Sequence, residues 1–345
     1  MTSMMTSAQA QSATTQDKFY EAAALLFLYT ETPLHAGTGA SLGIVDLPIQ
    51  REVHTQYPMI QGSSVKGALR TRARQEWGSL PDPNDNNKKR GTPKEIVIFG
   101  PEGDNASDHS SSLIVSDARI LLFPVRSLEG VFHYVTSADV LARFARDCQR
   151  AEITSLDAKL KGLEPPKEEI ALLANNAKSQ ITLEEFTYSV QSSPKIGELA
   201  RTLSPIIFPD ALSEADFWRK KLAESLVVLP EADFRDFTLY ATQIIQRIRL
   251  DSATKTVERG GLWSEECLPS DTLLYAPVFA TNPRQGNGAN GGGLTSGQGV
   301  IDAVRGLFES PHSHSYIQLG GDETVGYGQV AARWWLPEQA KGGAQ

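Results

Sequence analysis

The pattern of apolar and polar positions predicts a series of strands. An almost unbroken apolar run at residues 22–30 ends at Thr32-Pro33, which predicts a buried strand that enters a loop. Residues 113–125 and 131–135 predict two strands joined by a hairpin-length connection. Further strands are predicted at residues 254–262, 272–280 and 317–335, and the last of these regions contains a glycine turn.

A helix is predicted over residues 65–77, preceded by Gly62-Ser63-Ser64 with a serine as its cap. Its apolar side is formed by Val65, Leu69 and Trp77. A basic stripe at intervals of four is formed by Lys66, Arg70 and Arg74. Because the free N–H groups at a helix start also favour anions, this helix is a candidate anion-binding element, although a solvated basic face is the more usual role.

Further helices are predicted at residues 137–150, 160–174, 211–229 and 301–309. Residues 239–250 are apolar enough to be either helix or strand, and residues 181–208 mix short extended runs with turns. The order of strands and helices predicts an α+β fold with a ferredoxin-like, RRM-like sheet and long insertions.

A single domain is predicted over residues 19–336, between disordered tails at 1–18 and 337–345. Its insertions are a loop at 78–110, a helical insertion at 150–235, and a flexible glycine-rich loop at 282–299. The composition, with 40% hydrophobic and 21% charged residues among 345, is typical of a soluble globular protein.

Composition also excludes several classes of protein. No apolar run approaches the ~20 residues that a membrane span needs, and the first 18 residues lack the apolar core of a secretory signal. Two distant cysteines, Cys148 and Cys267, form neither a disulfide framework nor a zinc-ligand pair. We therefore expect a cytoplasmic protein. The net charge of −8 is unfavourable for nucleic-acid binding unless the basic residues are clustered.

Several short motifs together resemble a known family. They are LHAGTG at 34–39, LGIVDLPIQRE at 42–52, GSSVKGALR at 62–70, VSDAR at 115–119, FPVRS at 123–127 and GLWSEE at 261–266. This set resembles the RAMP superfamily, and VDLPIQRE with GSSVKGALR resembles the repeated backbone subunit of type III-B CRISPR effector complexes. The resemblance covers most of residues 20 to 336.

The resemblance implies a RAMP palm with a thumb-like hairpin, for which residues 181–209 are the candidate. An insertion packed on the body is an equal alternative for that segment. It also implies that the chain binds a crRNA guide, polymerises along it with further copies of itself and other effector subunits, and cleaves complementary target RNA. A non-catalytic RNA-binding scaffold of the same kind of complex is the second hypothesis.

Asp46 is the residue that the resemblance implies for target cleavage, in a divalent-metal-dependent reaction that gives a cyclic phosphate. RNA cleavage through its own 2′-hydroxyl needs in-line alignment, proton removal and neutralisation of the phosphorane charge. A loop carboxylate that holds Mg²⁺ or Mn²⁺ supplies part of this chemistry. Without the resemblance, an Asp before Leu-Pro is more often a loop cap.

Three further residues are candidates for the catalytic site. His35 has a pKa range suited to proton transfer near neutrality, although a packed or loop-ordering histidine is at least as common. The resemblance implies an acidic residue at Glu265 or Glu266 without distinguishing between them.

The glycine-rich stretch 319–328 is a candidate for contact with phosphate, because backbone without Cβ atoms approaches a phosphate closely. A glycine hairpin without a ligand is the alternative. The glycines concerned are Gly320, Gly321, Gly326 and Gly328. The other RNA-binding candidates are Lys66, which the resemblance places on guide phosphates, with Arg51, Ser63, Ser64, Arg70 and Arg74.

Overall fold

The computed structural model describes residues 18–82, 85–101, 109–154, 162–175, 178–284, 292–309 and 315–337. Both predicted tails, except for Lys18 and Pro337, and residues 285–291 of the predicted glycine-rich loop lie outside this part of the chain.

The strands, numbered in chain order, are β1 (Ala22–Thr30), β2 (Met59–Ile60), β3 (Ser79–Asp82), β4 (Asp85–Gly91), β5 (Leu113–Val115), β6 (Ala118–Arg126), β7 (Phe132–Ser137), β8 (Ile170–Leu173), β9 (Gln180–Leu183), β10 (Phe186–Ser192), β11 (Leu226–Leu229), β12 (Gln243–Leu250), β13 (Val257–Cys267), β14 (Leu273–Ala280), β15 (Tyr316–Gln318) and β16 (Gln329–Trp335). The helices are α1 (Gly62–Trp77), α2 (Pro93–Phe99), α3 (Ala138–Arg150), α4 (Pro194–Ile207), α5 (Ala215–Ser225), α6 (Glu231–Tyr240) and α7 (Gly297–Arg305).

One large mixed sheet forms the body of the protein. Its strands follow the order β15-β16-β1-β14-β6-β7-β11-β8-β10-β9, with β2 on β6 and β5 on β14. All nine residues of β1 are buried, as expected for a central strand covered on both faces. This explains why its apolar run is continuous rather than alternating. The predicted α+β class is confirmed.

Three predicted segments have a different secondary structure. In the predicted helix at 160–174, residues 170–173 form β8, and the predicted helix at 211–229 ends at Ser225, after which β11 begins. The ambiguous run at 239–250 divides into the end of α6 and the strand β12. In each case a short apolar segment pairs with a neighbouring strand, and this pairing outweighs the local helix propensity.

Two details of the predicted loop and helix caps also change. The segment at 78–110, predicted as a loop, contains the hairpin β3–β4 and helix α2. Helix α1 begins at Gly62 without a serine cap, and the Gly62 N–H donates to Asp117 Oδ1 at 2.8 Å. A Cβ at Gly62 would lie 2.4 Å from the Val115 carbonyl oxygen, so this close approach to β5 requires glycine.

A separate hairpin of β12 and β13 stands apart from the large sheet, and we call it the protruding hairpin. Its strands pair with each other in a two-stranded sheet. It carries exposed apolar side chains, at Ile244, Ile248, Leu250, Val257 and Leu262.

The segment at 181–209, which was the candidate thumb, is instead packed on the body. Strand β10 pairs with both β8 and β9 at the edge of the large sheet. Helix α4 buries half of its residues. The sheet pairing supports the second of the two alternatives for this insertion.

Candidate active site and RNA-facing surface

Residues 31–58, the connection between β1 and β2, lie along the end of β13, and we call them the Asp46 loop. Leu34 and Leu268 exchange backbone hydrogen bonds of 2.9 Å in both directions. The Leu47 N–H donates to the Ser264 carbonyl at 3.0 Å, and the Glu266 N–H donates to the Leu47 carbonyl at 3.0 Å. The fold therefore brings the motif around Asp46 beside the acidic pair of β13, although about 220 positions separate them in the chain.

Asp46 is held by Ser264 while its side chain stays at the surface. Its Oδ2 accepts hydrogen bonds from the Ser264 N–H at 2.7 Å and from the Ser264 hydroxyl at 2.8 Å. In return, the Asp46 N–H donates to Ser264 Oγ at 3.0 Å. These bonds, the backbone bond first, lower the pKa of Asp46, so it is a carboxylate at neutral pH. Ser264 was not predicted, although it lies within the GLWSEE motif.

The residues around Asp46 suit a metal ion that takes most of its ligands from water and substrate rather than from protein side chains. Among the described residues, no group of three or more His, Cys, Asp or Glu side chains could hold a metal ion. Both hydrogen bonds from Ser264 go to Asp46 Oδ2, so Oδ1 is a hard oxygen that Ser264 does not engage. Mg²⁺ commonly binds through one or two carboxylates together with water and substrate phosphates. Asp46 fits that mode, and it does not fit a cage made entirely of protein ligands.

The ring of His35 is fixed in one orientation by a backbone carbonyl of β13. Its Nδ1 lies 2.7 Å from the Glu266 carbonyl oxygen. Because a carbonyl only accepts hydrogen bonds, Nδ1 carries the proton, and Nε2 of the neutral ring is free of one. The half-buried ring lies over Gly37, where a Cβ would be 2.5 Å from Nε2. The ring therefore presents a nitrogen able to accept a proton.

Glu266 acts as a buried clamp on the Asp46 loop. Its Oε2 accepts from the Ile49 N–H at 3.0 Å, and its Oε1 accepts from the Thr242 hydroxyl at 2.9 Å. Arg51 donates to the same Oε1, and its other terminal nitrogen donates to the Gln56 carbonyl at 2.9 Å. The guanidinium of Arg51, proposed from the sequence to bind RNA, is thus engaged in holding the loop.

Glu265 faces the other side of β13 and meets the glycine-rich loop. Its Oε1 accepts from Trp263 Nε1 at 2.7 Å, and its Oε2 accepts from Arg247 Nε at 2.9 Å. Burial favours a raised pKa for Glu265, but these two bonds outweigh it and lower the pKa. Burial, followed by the Glu265 charge, raises the pKa of Asp322. Both acids of the pair are buried, so neither is exposed as Asp46 is.

The start of α1 exposes Ser63 and Ser64, with Gly67 beside them. Lys66 lies next to this surface but is half-buried, and its Nζ donates to the Leu113 carbonyl at 2.9 Å and to Ser111. Desolvation, followed by the nearby Arg70 charge, lowers the pKa of Lys66. The exposed side chains at the start of α1 are therefore mainly hydroxyl groups rather than cations.

The rest of the predicted basic stripe pairs with a buried carboxylate. Glu95, on α2 and fully buried, accepts at its Oε1 from Arg70 Nε at 2.7 Å and from Arg74 Nε at 2.9 Å. Arg70 also donates to the Gly100 carbonyl at 2.8 Å. Both guanidinium groups thus tie α1 to α2, a role that the spacing along α1 did not predict.

The four glycines of 319–328, the glycine loop, have different roles. The Gly321 N–H donates to the His35 carbonyl at 2.9 Å, and the Gly328 N–H donates to the Pro33 carbonyl at 2.8 Å. Gly320, Gly326 and Gly328 have positive φ, and a Cβ at Gly326 would meet only open space. The N–H groups of Gly321 and Gly328 therefore donate to carbonyls of the Asp46 loop. Through the Gly321 bond, the glycine loop positions His35.

Replacing Gly320 by alanine is expected to destabilise the protein by about 2 to 3 kcal/mol, since positive φ and overpacking each cost about 1 kcal/mol or more. Its new Cβ would lie 2.3 Å from the His35 carbonyl oxygen at a φ of +72°. Gly321→Ala is the matched control, because its Cβ meets nothing nearer than His35 Cδ2 at 3.6 Å. Thermal melts compare the two. Equal melting temperatures would contradict the close packing of Gly320 on His35.

Within the described ranges, no helix combines the length and apolar character needed to cross a membrane.

Comparison with known proteins identifies the family. The model of the RAMP superfamily matches residues 27–331. The chain is 38% identical over 308 residues to the CRISPR system Cmr endoribonuclease Cmr4 of Pyrococcus furiosus, covering 89% of this chain and 93% of that protein. It is 26% identical over 326 residues to the CMR subunit Cmr4 of Saccharolobus solfataricus, covering 89% and 95% respectively.

Solved structures agree in fold. A crystal structure of oligomeric Cmr4 from Pyrococcus furiosus matches with a TM-score of 0.63 at 30% identity, covering 91% of this chain and 97% of that one. A cryo-EM structure of a type III-B Cmr-beta complex bound to cognate target RNA contains a chain that matches with a TM-score of 0.65 at 25% identity, covering 92% and 98%. The chain therefore belongs to the RAMP superfamily and, within it, to the Cmr4 family.

Proposed function

We propose that this chain is a crRNA-binding backbone subunit of a type III-B CRISPR effector complex, and that it cleaves complementary target RNA with the help of a divalent metal. The observation that carries the proposal is Asp46, an exposed carboxylate fixed by Ser264 at the base of the protruding hairpin. The name of the Pyrococcus furiosus relative, an endoribonuclease, supports RNA cleavage. We place the complex in the cytoplasm.

The chemistry requires the target 2′-hydroxyl to lose its proton and attack the adjacent phosphorus, and the 5′-oxygen to leave with a proton. The products are a 2′,3′-cyclic phosphate and a 5′-hydroxyl. Asp46 would hold Mg²⁺ or Mn²⁺, and such a metal would supply positive charge to offset the negative charge that develops at the phosphorus. His35 Nε2 is oriented as a proton acceptor by the bond from Nδ1 to Glu266. Glu265 and Glu266 position the hairpin and the Asp46 loop.

Guide binding is proposed at the surface formed by the start of α1. Ser63 and Ser64 are exposed there as hydroxyl donors, and the positive end of the helix dipole favours phosphate oxygens. Lys66 adds a cation at the edge of this surface. The exposed apolar side chains of the protruding hairpin suit contact with bases. Further copies of the chain and other effector subunits are the proposed protein partners.

A scaffold without catalytic activity is the alternative function. It is favoured by the absence, among the described residues, of a metal site built from several ligands. In that case Asp46 would only order its loop through Ser264.

The assembled complex, with guide RNA and Mg²⁺ or Mn²⁺, is expected to cut a matched RNA and spare an unmatched one. EDTA should stop cleavage, and either metal should restore it. The upstream product should carry a cyclic phosphate, which end-specific phosphatase treatment detects. Bound but uncut matched RNA would establish the scaffold alternative, and cleavage that persists in EDTA would contradict the metal requirement.

A further inference from the structure

Arg247 lies where the protruding hairpin meets the glycine loop. It is on β12, opposite Trp263 of β13, and its side chain is 22% exposed. Its Nε donates to Glu265 Oε2 at 2.9 Å, and its Nη2 lies 3.5 Å from Asp322 Oδ2 in the glycine loop. The guanidinium carbon is 5.2 Å from the centre of the Tyr327 ring, within cation–π range. One side chain therefore contacts the protruding hairpin and two positions of the glycine loop.

The glycine loop presents Asp322 and Tyr327 to Arg247 in a fixed shape. Asp322 has a left-handed φ of +62°, and its carbonyl accepts from the N–H groups of Val325 at 3.1 Å and Tyr327 at 3.2 Å. This turn places the carboxylate and the ring on the same guanidinium. The glycine loop also bonds to the His35 carbonyl through the Gly321 N–H. Arg247 therefore connects the hairpin, through the glycine loop, to the loop that carries both His35 and Asp46.

We propose that Arg247 is a positioning residue that fixes the protruding hairpin against the glycine loop, so that target RNA bound over the hairpin lies in line with Asp46. Strand β13 carries Ser264, the residue that holds Asp46, and Glu265, the residue that Arg247 holds. Because the Ser264 end of β13 is tied to the Asp46 loop, a change in the angle of the outer part of the hairpin would move RNA bound over it relative to the Asp46 carboxylate. In-line attack is sensitive to displacements of about 1 Å. The inference rests on the proposed function.

The first test uses the assembled complex and single-turnover cleavage of matched target. Arg247→Ala is expected to slow cleavage about tenfold or more with target affinity unchanged, since a misplaced phosphate affects the rate and not the binding. Arg247→Lys should recover part of the rate by restoring one ion pair. Arg249→Ala is the matched control, because Arg249 has the same charge on the same strand with a side chain 65% exposed, and its contacts, with Glu258 at 3.9 Å and the Trp263 ring centre at 5.7 Å, lie within the hairpin. An equal loss for both variants would assign the effect to hairpin charge and overturn the proposal.

The second test does not require cleavage, so it separates this inference from the proposed function. Spin labels on introduced cysteines at exposed Val257 and Ser63 measure the distance from the hairpin to α1. The native Cys148 and Cys267 are buried. Arg247→Ala is expected to broaden the distance distribution, and Arg249→Ala to leave it narrow. Should Arg247→Ala fail to fold, Arg247→Met keeps an apolar stem on Tyr327 and serves in its place. An unchanged distribution in the folded variant would overturn the proposal.

Discussion

Replacing Asp46 by asparagine is expected to slow target cleavage by about 100-fold or more, while target binding stays unchanged. Asparagine retains a side-chain oxygen to accept the bonds from Ser264, which reach Asp46 Oδ2 at 2.7 and 2.8 Å. The loop should therefore keep its shape, and only the negative charge is lost. Single-turnover rates with excess complex, together with gel-shift binding of the same target, measure the two effects separately.

Ser264→Ala is the control that separates loop ordering from chemistry. It removes the hydroxyl bond to Asp46 but keeps the backbone N–H bond, so the carboxylate stays charged and partly held. We expect a loss of about tenfold at most, since the net contribution of one hydrogen bond is modest and the backbone bond to the carboxylate remains. An Asp46→Asn complex that cleaves at the wild-type rate would show that Asp46 only caps its loop. The scaffold hypothesis would then account for the site.

Replacing Glu95 by alanine is expected to lower the free energy of unfolding by about 3 kcal/mol, as removal of one partner from a buried ion pair does. Glu95 is fully buried and holds Arg70 and Arg74 at 2.7 and 2.9 Å. Its loss would leave two guanidinium groups between α1 and α2 without that carboxylate. Chemical denaturation of the purified chain measures the change.

Glu76→Ala is the matched control for Glu95. Glu76 pairs with Arg72 of α1 at 2.8 Å, but the glutamate side chain is 38% exposed. An exposed pair at this spacing contributes about 0.5 kcal/mol or less. Equal effects of the two alanine variants would show that the buried pair contributes no more stability than the exposed pair. Arg70 and Arg74 would then be better regarded as part of the RNA-facing surface.

Local pattern determined the central strands of the fold. The predicted bounds of β1 agree with the structure, and those of β14 agree within one residue. Both strands are covered on both faces, so a continuous apolar run is enough to specify them. The short strands β8 and β11 were not predicted, because a run of four apolar residues is compatible with a helix as well as with a strand. Their pairing partners lie as far as about 90 residues away in the chain.

Motifs alone identified the candidate residues of the site but not their contacts. Asp46, His35 and the Glu265–Glu266 pair were selected from the sequence, and the fold places all of them around the end of β13. Arg247 and Asp322 were missed, because an arginine in an apolar run and an aspartate in a glycine loop have no shared local signal. Sequence pattern also suggested Arg51, Arg70 and Arg74 as RNA ligands without revealing the carboxylates that they contact.

The sequence by itself determined the family, the central strands and the identity of the candidate catalytic residues, since these depend on short motifs and on local apolar periodicity. Only the tertiary structure decided which charges are available. It pairs Arg51 with Glu266 and Arg70 with Glu95, and it leaves Asp46 exposed on Ser264. The physical reason is that the charge state and exposure of a side chain depend on groups brought close by folding, and these are separated by 25 to 218 positions in the chain.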